Sequence, residues 1–212
     1  MAILLDSYSE ANKNQDQWLF STFPAGFCIY GQMFKTPNDG TQYVLTTATF
    51  YIIDNEVGAT GTFQAELYAD DGGTYGTDSK PTGAILATSA ERIVTSFNAA
   101  YTLEAFDFSG DPYTMDSNTA YGICLKKTGG DAQIKIGYDN STPTHGGLKV
   151  YWAGGGWTAV AGDDLCFYVY GEVADTYSPA TRSSLPSTMS TMLNSKMFYS
   201  ALKFPSFGGR LI

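Results

Sequence analysis

TFQAELYA, residues 62–69, alternates its side chains with a period of two. Phe63, Ala65 and Leu67 fall on one face, and Gln64, Glu66 and Tyr68 on the other. Extended backbone points successive side chains to opposite faces, so this is the pattern of a strand buried on one side. The period recurs along the chain. TAYGICLKK (119–127) sets Tyr121, Ile123 and Leu125 against Lys126, and AQIKIGY (132–138) sets Ile134, Ile136 and Tyr138 against Lys135. DLCFYVYG (164–171) points Leu165, Phe167 and Val169 inward, while GFCIYGQMF (26–34) and TQYVLTTATFYII (41–53) are further strand candidates.

Turn signals separate these runs: Pro37-Asn38-Asp39-Gly40, Asp71-Gly72-Gly73, Thr128-Gly129-Gly130-Asp131 and Gly154-Gly155-Gly156. About eight to ten strands at this spacing predict an all-β antiparallel sandwich or jelly roll. Composition agrees, with 23 Gly, 15 Tyr and 13 Phe among 212 residues.

The pattern stops near Gly171, which predicts a sandwich domain over residues 1–174 and a C-terminal arm, extended or partly helical, over 175–212. Ser187 is a candidate N-cap for a short helix to about Leu202, with Met189, Met192, Leu193 and Met197 on one side. Phe198, Phe204 and Phe207 add apolar area to a segment too short for a core of its own. The arm either folds back on its sandwich or docks on another subunit. For docking, the candidate contacts are Met192, Met197, Phe198, Phe204, Phe207 and Arg210, with Lys203 and Arg210 pairing with acids on the neighbour.

Charge divides along the same boundary. Residues 1–174 carry 20 acidic and 8 basic side chains, net −12, and residues 175–212 carry one acidic and four basic, net +3. An acidic body excludes nucleic-acid binding through its bulk surface, since phosphate contacts need clustered Lys and Arg. No run approaches the roughly 18 apolar residues of a membrane-spanning helix. The N-terminal MAILLDSYSEANKNQ is too short and too acidic to read as a secretory leader. Cys28, Cys124 and Cys166 are widely spaced and odd in number, and are expected to be free, buried thiols rather than zinc ligands.

Between the strand ending at Ala69 and the next apolar run lies DDGGTYGTDSKPTG (70–83). Its Asp70, Asp71 and Asp78 raise the question of calcium, which takes six to eight oxygens. Their spacing is not that of an EF-hand loop, so the stretch is expected to be a connection, with no metal or cofactor. His145 is the only histidine. It has no Gly-x-Ser-x-Gly elbow to serve and no histidine partner for a metal, and neither a Walker loop nor Gly-x-Gly-x-x-Gly occurs. The chain is not expected to be an enzyme. Trp152 and Trp157 flank the glycine turn at 154–156, with Tyr151 and Asp139 near in sequence, as candidate glycan contacts. Because Tyr151 and Trp152 are adjacent on a strand, one of the two should face the core.

The succession TGTFQAELYADDGGTYGTDSKPTGAILATS, YTLEAFDFSG, NTAYGICLK, IKIGYDNS and GGGWTAVAGDDLCFYVYG resembles the choice-of-anchor-type β-sandwich. That module, a carbohydrate-binding-like jelly roll, is found in bacterial surface proteins and phage virion proteins. The resemblance spans residues 26–171 and leaves the arm out. It implies no role for Asp70, Asp71 or Asp78. Taken with the missing leader and the apolar, basic arm, it implies a non-catalytic virion structural protein, made in the host cytoplasm. Such a protein would be a phage head-decoration, fibre or tail-associated subunit, partnered by capsid or tail proteins and by copies of itself. The alternative is a carbohydrate-binding or adhesion module that meets a host-surface glycan.

Overall fold

The computed structural model describes residues 1–19, 29–54, 60–153 and 155–176. Half-buried strands can hide their apolar faces only against one another, and here they form two antiparallel sheets, one of them curled. The first sheet runs β1 (Ile3–Tyr8), β15 (Phe167–Val173), β4 (Tyr43–Asp54), β11 (Ile134–Asp139), β14 (Asp164–Leu165). Beside that path, β2 (Gln15–Leu19) pairs with β11, and β8 (Thr102–Asp107) and β9 (Thr114–Met115) pair with β4. The second sheet runs β13 (Gly156–Val160), β12 (Lys149–Ala153), β3 (Ile29–Lys35), β10 (Ala120–Gly130), β5 (Gly61–Asp70), β6 (Pro81–Thr88), with β7 (Arg92–Ile93) against β5.

The core lies between the sheets. Phe63, Ala65 and Leu67 of β5, Ile123 and Leu125 of β10, Ile134 and Ile136 of β11, and Phe167 and Val169 of β15 are all fully buried in it. Phe34, Phe50, Phe106 and Phe108 complete its aromatic centre, where Phe50 and Phe106 meet edge-to-face at 6.0 Å. The chain divides into one unit of Met1–Tyr177 and another of Ser178–Ile212. Cys28 and the whole candidate contact set of the arm, from Met192 to Arg210, lie outside the described residues.

Three features differ from the periodicity reading. The described residues hold fifteen strand segments, more than eight to ten, partly because residues 3–8 and 15–19 contribute strands. ILLDSY buries only Leu5 and Tyr8 and leaves Leu4 47% exposed, so its burial has no clean period of two. Thr128–Gly130 is strand rather than turn: β10 continues through a register shift to pair Gly130 with Gly61. Gly130 has φ +76°, and a Cβ there would stand 2.2 Å from the Thr60 carbonyl oxygen, so only glycine lets the two chains approach so closely. Finally, DLCFYVYG breaks into β14 and β15 at Cys166, whose N–H donates to the Gly137 carbonyl at 3.0 Å.

Candidate functional site

The second sheet has a face turned away from the main core, and register assembles it row by row. Ile29, Lys126 and Gln64 lie side by side across β3, β10 and β5; Gly31, Cys124 and Glu66 form the next row, and Met33, Gly122 and Tyr68 the one after. On β12, Val150 extends the middle row beside Gly31. The centre of this face is made of small side chains. A Cβ on Gly31 would lie 2.4 Å from the Cys124 sulfur, so nothing larger fits between β3 and β10. Ile29, Met33, Tyr68, Cys124 and Val150 form a second, smaller apolar cluster here, with Tyr75, Trp152 and Trp157 packed on it.

Strand alternation sorts the β12 aromatics as expected. Tyr151 turns inward, 5.9 Å from the Tyr30 ring and against the main core, and Trp152 turns to the outer face. Trp152 pairs directly with Trp157 across the β12–β13 hairpin, their rings 5.5 Å apart at 76°. Trp157 in turn meets Tyr68 edge-to-face at 5.2 Å. These rings, with Ile29, Gly83, Ala84 and Ile85, line a groove of about 420 Å³. A second cleft of the same size, at Thr60–Thr62, Ile93–Thr95 and Gly129–Gly130, has no aromatic or charged side chain among its described lining. The Trp groove is therefore the better candidate, since a binding site needs both apolar area and a few orienting polar groups.

A polar cluster lies outside the lining, in the cross-strand rows of Ile29 and Tyr68 and the row between them. Glu66 is fully buried, yet both carboxylate oxygens are engaged. Oε1 accepts from Lys126 Nζ at 2.8 Å and from Gln64 Nε2 at 2.9 Å, and Oε2 accepts from the Tyr68 hydroxyl at 2.5 Å. A buried carboxylate is tolerated only when its charge is paired and its lone pairs are filled, which this arrangement achieves. Burial first, then the hydrogen bond to Glu66, push the Tyr68 hydroxyl pKa far up, so it remains a donor. Lys126 is 32% exposed in its side chain, and Nζ carries three donors, one of which goes to Glu66.

Asp139, near the tryptophans in sequence, is spent elsewhere. It accepts from the Tyr8 hydroxyl at 2.6 Å and from the Ser141 backbone and hydroxyl. His145 lies in a loop, as expected, but its side chain is only 6% exposed and belongs to a polar cluster. Its Nε2 faces Asp6 Oδ2 at 3.2 Å, while the Gly147 N–H (3.0 Å) and the Gln32 amide (3.1 Å) are directed at Nδ1. Gln32 also donates to Asp164 Oδ1 at 2.7 Å and accepts from the Leu165 N–H. Two donors aimed at Nδ1 are the hydrogen bonds of a neutral ring. The surrounding field favours the charged one: burial alone lowers the pKa, but hydrogen bonding and charge from Asp164 and Asp6 outweigh it and raise it to about 9. Asp164 favours the charged ring: its Oδ2 is buried with no hydrogen-bond partner among the described residues, and its Oδ1 stands 3.7 Å from Nδ1.

The Asp70–Lys80 loop closes on itself. Asp71 Oδ1 accepts from the Gly73 and Lys80 amides, Asp78 Oδ1 from the Thr74 amide at 2.6 Å, and Asp70 Oδ2 from the Gly72 amide. Among the described residues, no group of three or more His, Cys, Asp or Glu is placed to hold a metal ion. The loop also lays Tyr75 over the outer face, and its Gly76 (φ +78°) approaches the 141–147 loop so closely that a Cβ would sit 2.5 Å from the Gly146 carbonyl oxygen. Cys124 and Cys166 are free and buried.

Of the residues singled out from sequence, the structure brings Trp152 and Trp157 together. The periodicity had placed Gln64, Glu66, Tyr68 and Lys126 on non-core faces, but nothing local marked them as neighbours of the tryptophans. No family model matches the chain, and no curated protein matches it either.

Proposed function

We propose that the chain is a non-catalytic structural subunit of a phage virion, a head-decoration, fibre or tail-associated protein held by its C-terminal arm. The observation that carries this reading is the closure of the sandwich. Both sheets and a densely filled aromatic core fall within the unit Met1–Tyr177, while the sequence beyond it is apolar and basic. Apolar side chains on a short segment are ordered only where an outside surface offsets the entropy of fixing them. The arm's net +3 against the body's −12 suits an acidic neighbour, another copy included. The choice-of-anchor resemblance supports the same reading. So does the occupation of the buried ionisable groups, with Glu66 and His145 committed to internal networks.

The test is a truncation to residues 1–177, followed by melting and by incorporation into particles made in the producing cell. We expect a folded sandwich that is absent from purified particles. A truncated chain that incorporates normally overturns the reading, and one that unfolds assigns the arm to the sandwich core.

A second reading, a carbohydrate-binding or adhesion module, is favoured by the Trp152–Trp157 groove. A displayed virion sandwich and a glycan contact are compatible, and saturable glycan binding lost in Trp152→Ala supports the second independently of the first.

A further inference from the structure

We propose that the groove on the outer face of the second sheet takes a neutral saccharide, stacked on Trp152 and Trp157 and read at its polar end by Lys126 and Gln64, which Glu66 holds in place. This rests on the carbohydrate-binding reading and adds to it the ligand class and the residues that select it.

A pyranose is amphipathic, with C–H faces and a rim of hydroxyls. A site for it needs aromatic surface on one side and fixed donors and acceptors on the other. The outer face supplies both along one direction. Trp157, Trp152 and Tyr68 wall the groove with rings set at 76° and 69° to one another. Ile29, a lining residue, has Lys126 as its cross-strand neighbour, and Gln64 is the next residue in that row. Its volume of about 420 Å³ lies within the roughly 300–1,000 Å³ of small-ligand sites.

The polar end is rigid. Glu66 anchors Lys126, Gln64 and Tyr68 at once, so the ammonium is held in place before a ligand arrives and loses little entropy on binding. Burying the Glu66 carboxylate is a costly way to stabilise a sheet face, where apolar residues of similar volume do as well. Its fixing of Lys126 next to Ile29, a residue of the groove, accounts for its presence.

Charge selects the class. Lys126 is already neutralised by Glu66, and residues 1–174 carry net −12, so an acidic sugar meets no uncompensated positive charge and a repulsive field. A neutral saccharide meets neither penalty.

The experiment titrates the full chain with maltohexaose, cellohexaose and chitohexaose, and with an oligogalacturonate of equal length, following tryptophan fluorescence and calorimetry. We expect at least one neutral oligosaccharide to bind saturably and the acidic one at least about tenfold more weakly. Trp152→Ala and Trp157→Ala should abolish binding. The double variant Glu66→Gln/Lys126→Met, which removes both charges together and so leaves no buried ion unpaired, should weaken it by about tenfold while its melting curve stays cooperative. Absence of binding to every neutral oligosaccharide in the wild type overturns the carbohydrate reading itself. Binding that needs the tryptophans but is unchanged in the folded double variant, or is as tight for the acidic ligand, leaves that reading standing and overturns this inference. If the double variant does not fold, Gln64→Ala serves in its place, and unchanged affinity there overturns the inference equally.

Discussion

Trp152 and Trp157 face each other as a direct cross-strand pair on β12 and β13, ring centroids 5.5 Å apart and nearly perpendicular. Edge-to-face pairs of this kind contribute about 0.5–1.5 kcal/mol beyond area burial. A double-mutant cycle of Trp152→Ala and Trp157→Ala, read by urea unfolding, should return a coupling in that range. Additive losses would show that the two rings pack independently.

The fully buried Phe50, edge-to-face with Phe106 at the centre of the main core, should be the most sensitive kind of position. Phe50→Ala should cost about 3–5 kcal/mol, against about 1 kcal/mol for Ile136→Val. Equal losses from the two would mean that the core collapses around the larger cavity.

Gly40 and Gly147 should both resist substitution, but for different reasons. Gly40 has φ +78° and open space around it, so Gly40→Ala should cost only the left-handed strain, about 1–2 kcal/mol. Gly147 has no such φ, yet its Cβ would stand 1.8 Å from the Met33 carbonyl oxygen, on backbone that cannot yield. Gly147→Ala should be the more damaging in a thermal melt.

The His145 pKa is raised from 6.5 to about 9 against the opposing effect of burial. A folded-state pKa above the unfolded one stabilises the protein fully below 6.5, and that stability is lost as pH rises through about 9. Denaturant unfolding should therefore show stability falling across this window, and His145→Gln should flatten the dependence. An NMR titration that finds the imidazole neutral at pH 7 would contradict the raised value and support the neutral ring described by the hydrogen bonds to Nδ1.

Asp71 and Asp78 bind backbone amides of their own loop, so they act as turn closures. Asp78→Ala should lower stability by about 1 kcal/mol through loss of the hydrogen bond that the Thr74 amide donates to Asp78 Oδ1. EDTA should leave the melting temperature unchanged, and a drop on chelation would assign a cation to the loop.

How far the sequence determined this protein can be judged from individual residues. Alternation in TFQAELYA and AQIKIGY sends Phe63, Ala65, Leu67, Ile134 and Ile136 inward, and all five are fully buried. The side of a strand a residue occupies is local, set by backbone geometry within two positions, and is therefore legible. It also required that one of Tyr151 and Trp152 face the core, and the structure decided that it is Tyr151. The terminal strand Ile3–Tyr8 escaped this reading, since its partner β15 lies at the other end of the described chain and supplies the reason for it to be extended. The site depended on tertiary structure in the same way. Glu66 finds Lys126 60 positions away, and His145 finds Asp6 139 positions away. Which strands pair, and in which register, is decided by the burial free energy of the whole sandwich. Alternation placed Lys126 on the outer face, and only the pairing of β3, β10 and β5 set it beside Ile29 and the groove.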